Sequence, residues 1–154
     1  MFLDPCFALK LVENLTANFF DPPLFAAYCS PNLNVALERI RQFKPLIGPM
    51  RLHLTQSARK TELVLEYLEM SLDVPVSLIA SELAFFVQLA RMATRAPVKP
   101  LKVSTPKSLP QLERYSRYFG VKISWRLDCL PLPIRASGLN AGSRAPSLRN
   151  RSTK

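Results

Sequence analysis

Arg51 to Glu69 reads RLHLTQSARKTELVLEYLE, and within it the apolar spacing changes from helical to alternating. Leu52 and Leu54 alternate with Arg51, His53 and Thr55, the pattern of a half-buried strand. Gln56 to Lys60 is a polar turn. From Thr61 to Glu69, Leu63, Leu65 and Tyr67 fall on one face and Glu62, Val64, Glu66 and Leu68 on the other. Two alternating runs joined by a short polar loop predict an antiparallel hairpin, with a helix the rival reading for residues 61–70 because Leu and Glu are good helix formers.

The flanks read as helices. On the N-terminal side, Asn32 can cap a helix whose apolar stripe is Leu33, Ala36, Leu37, Ile40, Phe43 and Ile47, ended by Gly48-Pro49. Before it, Asp4-Pro5 is a helix start, with Phe7, Leu11 and Leu15 as the expected inner stripe beside Ala8 and Val12. Asp21-Pro22-Pro23 breaks that helix, and Leu24 to Tyr28 forms a short apolar turn or helix. On the C-terminal side, Asp73 and Pro75 open the longest helix, to about Thr94, with Leu78, Ile79, Leu83, Phe86, Val87 and Ala90 on its apolar face. Leu101 to Ser104 is a short strand. Ser108 can cap a helix with Leu112, Tyr115 and Phe119 inward, and Gly120 suits the left-handed position after it. Val121, Ile123 and Trp125 alternate as a last strand. The order predicts an α+β fold: a small, largely antiparallel sheet of hairpin plus two further strands, covered by helices, after an N-terminal helical segment.

The 154 residues carry a formal net charge of +10, with 48% apolar and 21% charged residues. Such a chain can bury a core, which excludes wholesale disorder. Residues 127–154 hold 5 Lys+Arg against Asp128 alone, and their later part lacks aromatics and periodicity. The reading therefore divides the chain into a folded 1–126 and a basic tail, 127–154, expected to be disordered. Glycine is scarce, at 4, and no glycine-rich phosphate loop can be drawn. Cys6, Cys29 and Cys129 are far apart and lack the spacing of a zinc site, and His53 is the single imidazole. No cofactor, metal site or catalytic constellation is expected, nor a disulfide framework. Free thiols fit a reducing cytoplasm. The apolar run from Val74 to Ala90 is short for a membrane span and contains Glu82.

Three residues are candidates for binding a small molecule. Tyr67 and Trp125 offer aromatic faces with polar handles on predicted strands. Glu82 interrupts an apolar helix. A buried carboxylate must be paired or protonated, so Glu82 is expected on the helix's narrow polar side, the alternatives being a cation such as Arg91 or a ligand. His53 is expected at an exposed rim.

The ordered series of segments resembles the effector-sensing domain of AraC/XylS-type transcription regulators, in the branch with an arabinose-binding-type sensor. SPNLNVALERIRQFKPLI resembles the family's Ser-Pro-x-Leu-x-x-Ala-Leu helix, here Ser30, Pro31, Leu33, Ala36 and Leu37. The hairpin resembles its paired strands. SELAFFVQLARMAT, followed by PVKPLKVSTPKSLPQLERYSRYFGVKISW, resembles its helix, strand, Tyr-x-x-Phe-Gly helix end at Tyr115, Tyr118, Phe119 and Gly120, and aromatic-ended strand at Trp125. The resemblance implies a non-enzymatic regulatory module that binds a small effector or forms a homodimer, with DNA read by a helix-turn-helix domain not found in this sequence. The likeness is expected to fade after Trp125, as in a truncated or frameshifted copy. The second reading, from charge alone, is a small basic protein holding nucleic acid through phosphates.

Overall fold

The structure, a computed structural model, describes residues 4–57, 60–68, 73–125 and 134–137, with Trp125 and the last four described by backbone alone. Helices α1 (Phe7–Glu13), α2 (Pro22–Tyr28) and α3 (Leu33–Ile47) precede the hairpin strands β1 (Met50–Gln56) and β2 (Thr61–Tyr67). Helix α4 (Val76–Thr94), strand β3 (Lys102–Thr105), helix α5 (Leu112–Phe119) and strands β4 (Ile123–Trp125) and β5 (Ile134–Ser137) follow. The fold is α+β.

Side-chain caps place two helix starts. Asp21 Oδ1 accepts from Leu24 N at 2.9 Å, with prolines in the first turn of α2. Asn32 Oδ1 accepts from Val35 N at 3.0 Å and starts α3. Gly120 closes α5 at φ +75°, a conformation that a side chain resists. Ser108 does not cap α5, whose N-cap is Gln111 in the left-handed region at φ 52°.

The hairpin has the expected register, Met50↔Tyr67 through Gln56↔Thr61, with Thr61, Leu63, Leu65 and Tyr67 buried. The sheet order is β1-β2-β5-β3-β4. The expected four strands are thus joined by a fifth: β5 lies within the stretch assigned to a disordered tail, yet it pairs antiparallel with β2 on one side and β3 on the other. Its four residues need little apolar content because both backbone edges are satisfied by neighbours. The rest of the expected tail, 126–133 and 138–154, lies outside the described residues.

Helix α3 packs against β1, α4 against β5 and α5 against β4, while α1 packs on α4 and α2 on α3. Helix α4 is long and apolar enough to span a bilayer by length and composition. Ile79, Ala80, Leu83, Ala84, Phe86, Val87, Leu89 and Ala90 are nevertheless buried in the core. Apolar assignments change on three helices, the third being Leu78 of α4, which is exposed. Phe7 and Leu11 are exposed, and α1 turns Ala8, Leu9 and Val12 inward instead. Ile47 is exposed, and the buried position near the end of α3 is taken by Lys44.

Deletion from residue 130 onward removes the strand between β2 and β3. The shortened chain is expected to lose its cooperative thermal transition, read by circular dichroism, since neither sheet half keeps its inner edge covered. An unchanged midpoint would show that β5 contributes nothing to the sheet.

Candidate functional site

Lys44 is the most deeply buried charge among the described residues, with its side chain 4% exposed. It lies one turn from the end of α3, where Leu37 and Ile40 have already set the inward face. A buried ammonium requires a counter-charge, and α4 supplies it: Lys44 Nζ donates to Glu82 Oε2 at 2.6 Å, across 38 residues of sequence. Glu82 therefore does not face solvent. Its side chain is 13% exposed, and its cation is Lys44 rather than Arg91. The Phe86 ring, one turn along α4, lies 5.6 Å from the same ammonium and adds a cation–π contact. Arg91 serves another purpose, donating to the carbonyls of Val98 (3.0 Å) and Tyr118 (2.8 Å) and covering the Tyr118 ring.

Tyr67, at the end of β2, lies within electrostatic range of Glu82. It is 8% exposed, and its hydroxyl has no hydrogen-bond partner among the described residues. Burial pushes its pKa well above the ordinary phenol range, and the nearby Glu82 carboxylate pushes in the same direction. Among the described residues this region thus holds an unpartnered hydroxyl, an ammonium with one side-chain hydrogen bond, and a carboxylate with one oxygen outside that bond. A buried hydroxyl without a partner, as at Tyr67, is costly in a purely structural site.

Of the three candidate residues, Glu82 is paired with Lys44, and Tyr67 is buried within electrostatic range of Glu82 without a hydrogen bond to it. Trp125 is apart from them. Its backbone lies on β4, opposite Thr105, with β3 and β5 between it and β2. Lys44 is absent from the sequence-derived candidates because a lysine near a helix end is ordinarily solvated. The one available signal was Lys44 at the i+4 position from Ile40, in register with the buried stripe. The structural residues of the motif series fall into place. Ser30 Oγ donates to Ala26 O and accepts from Arg39, Leu33 opens the buried stripe of α3, and Tyr115 and Phe119 are buried. Ser30-Pro31 lies in the link from α2 to α3.

A concavity of about 290 Å³ lies between α1 and α5, lined by Cys6, Leu9, Lys10, Glu13, Arg114, Arg117 and Tyr118. Three of its polar groups are engaged by residues just outside the lining. Lys10 pairs with Asp4, while Cys6 Sγ and Arg114 both donate to Gln111 Oε1. At the rim of β1, His53 Nε2 lies 2.7 Å from Glu66 Oε2. It has an orienting carboxylate, but half of its side chain is exposed.

Removing one member of the Lys44–Glu82 pair leaves a buried charge unmatched. Glu82→Gln is expected to cost about 3 kcal/mol in urea unfolding, and Lys44→Met with Glu82→Leu together much less. Equal losses in the single and double variants would mean that the two charges are not coupled. The tyrosines give a second test. Burial raises Tyr67 and Tyr118 and pushes Tyr115 up to about 12. These groups ionise first in the unfolded chain, so the stability they contribute is full below about pH 10 and is lost as pH rises through the folded values. Absorbance at 295 nm should show most of the tyrosinate signal appearing together with alkaline unfolding.

Among known protein families, the one described as the arabinose-binding domain of AraC transcription regulators, N-terminal, matches residues 1–141. The match continues past Trp125 and takes in β5. No curated protein matches the chain.

Proposed function

Since the chain belongs to the family of arabinose-binding domains of AraC transcription regulators, we propose that its sensing site is built on the Tyr67–Glu82–Lys44 cluster. Regulatory sensing is the role of this family, which is not a family of enzymes. The effector in this reading is a small, neutral, hydroxyl-bearing molecule of the sugar or polyol class. The orphan hydroxyl of buried Tyr67 carries the argument. It can donate to a ligand oxygen, the spare N–H groups of Lys44 can do the same, and the free Glu82 oxygen can accept from a ligand hydroxyl. The ion pair is neutral as a unit, so a neutral ligand fits without leaving a buried charge unmatched. A ligand here touches α3, α4 and the end of β2 at once, so occupancy couples the two long helices to the sheet. DNA is then read by a helix-turn-helix unit, with this domain acting as its effector switch in the cytoplasm. The basic charge is secondary in this reading, and gel shifts with the chain should show only weak, salt-sensitive binding.

Tyr67→Phe separates a binding role from a packing role. Removing an unpartnered buried hydroxyl should leave stability unchanged or raise it by about 1 kcal/mol. The same change should abolish the rise in melting temperature that a pentose or polyol at roughly 10 mM gives the parent chain. If neutral sugars and polyols give no rise in the parent, the assignment fails. If Tyr67→Phe keeps the full rise, the hydroxyl is not a ligand contact.

A further inference from the structure

The concavity between α1 and α5 is lined by opposite charges that do not meet. Lys10 and Glu13 come from α1, and Arg114 and Arg117 from α5. Each pair is spaced i and i+3, and so lies on one helix face. Glu13 could neutralise either arginine, yet among the described residues no ion pair crosses the space. Lys10 is taken by Asp4, and Arg114 gives one N–H to the neutral Gln111 amide at 3.2 Å. Neither Glu13 nor Arg117 has a side-chain partner among the described residues. Two guanidinium groups therefore share the space with one carboxylate.

Two hydrogen bonds between buried groups set the spacing of the walls. Cys6 Sγ donates to Gln111 Oε1 at 3.0 Å, and the Tyr115 hydroxyl donates to Pro5 O at 3.1 Å. They tie the chain at the start of α1 to the first half of α5. Buried Leu9 and half-buried Tyr118 supply apolar surface. The Tyr118 hydroxyl is already engaged, at 3.3 Å from Ala84 O and 3.2 Å from Gln88 Oε1. The volume, about 290 Å³, matches roughly ten non-hydrogen atoms at about 30 Å³ each.

We propose that this concavity binds a small carboxylate bearing an α-hydroxyl or α-amino group, with Arg114 and Arg117 on the carboxylate and Glu13 on the donor. Guanidinium and carboxylate are matching planar forks, so two arginines on one wall suit a carboxylate. A carboxylate alone would set a second negative charge beside Glu13. A hydroxyl or ammonium next to it removes that conflict by donating to Glu13. A neutral sugar leaves the excess guanidinium unmatched, and a polyanion is opposed by Glu13. The short apolar body of the ligand lies over Leu9 and Tyr118. Helix α1 packs on α4 and α5 on β4, so occupancy adds a bridge between two parts of the fold that meet here. The site shares no residue with the Tyr67–Glu82–Lys44 cluster and does not depend on the sugar reading.

The test is isothermal titration of the full chain at low salt with leucine, methionine and their α-hydroxy counterparts. Saturable binding of the amino acids, the hydroxy acids or both is expected. Isocaproate, which lacks the donor, and isoamylamine, which lacks the carboxylate, should bind roughly tenfold more weakly or worse. Arg117→Gln should weaken binding by about tenfold or more. It should keep the thermal transition, because Arg117 is exposed. Arg114→Gln gives the same reading from the neighbouring guanidinium. Glu13→Gln tells the two donors apart. It should remove binding of the amino acids, whose ammonium loses its counter-charge, and largely spare the hydroxy acids, whose hydroxyl can donate to the amide oxygen. Lys122→Gln, at an exposed cation outside the lining, should change nothing. No saturable binding of any of the four acids overturns the proposal. So does binding indifferent to both arginine variants, or isocaproate binding as tightly as the acids that carry a donor. An excess of pentose should not displace the carboxylate. Displacement would put both ligands in one site and overturn the separate site, whereas a pentose that does not bind at all removes only the sensing reading.

Discussion

Continuity of the sheet rests on four residues. Ile134 to Ser137 satisfy the inner edge of β2 on one side and that of β3 on the other, and each of those strands belongs to a unit with a different neighbour on its far side. Without β5 there is a hairpin with α3 on it and, apart from it, a parallel pair β3–β4 with α5. Helix α4 packs on β5 and so seats at the junction of the two. The relative positions of Tyr67 on β2 and Glu82 on α4, and hence the polar cluster, follow from that junction.

Within this frame the buried Lys44–Glu82 pair determines how α3 and α4 meet. Few other contacts join these helices directly, since α3 covers β1 and α4 covers the sheet's middle. A buried ion pair adds little net stability against an apolar equivalent, because desolvation offsets most of the attraction. What it adds is direction: the ammonium must find one carboxylate at one distance. Neighbouring polar links act similarly elsewhere. Arg39 joins α3 to the end of α2 through Ala26 O and Ser30, and Arg91 joins α4 to the end of α5 through Tyr118 O. The Tyr67 hydroxyl stands out against this background because it alone among buried side-chain polar atoms described has no partner.

Local rules made much of the fold legible. Alternation at Leu63, Leu65 and Tyr67 gave the hairpin and its inner face, Asp21 and Asn32 marked helix starts, and Tyr115, Phe119 and Gly120 marked a helix and its end. The misses share one physical cause, which is dependence on partners distant in sequence. Strand β5 alternates Ile134 and Ala136 with Arg135 and Ser137, but four residues are too short a run to read as a strand without β2 and β3 on either side. Lys44 looks like a solvated charge until Glu82 is placed opposite it, and the inward face of α1 is chosen by α4 rather than by its own largest side chains. For the candidate site, Tyr67 and Glu82 stand out in the sequence by their chemistry, whereas the pairing of Glu82 with Lys44 and the two strands between Trp125 and β2 are set by tertiary structure that no local pattern shows.

The position of β5 also bears on how the chain is made. Its central strand is synthesised after all four of its sheet mates, and at about 5–20 residues per second the ribosome delivers it several seconds after the hairpin is complete. Through that interval β2 presents a bare inner edge, and α4 has no finished sheet beneath it. Early closure is therefore limited to the local hairpin, while the long-range pairing that unites the sheet comes last, the order that slows folding and favours capture by chaperones. Conditions that slow translation would lengthen this exposure and lower the soluble yield, even though the finished fold is unchanged.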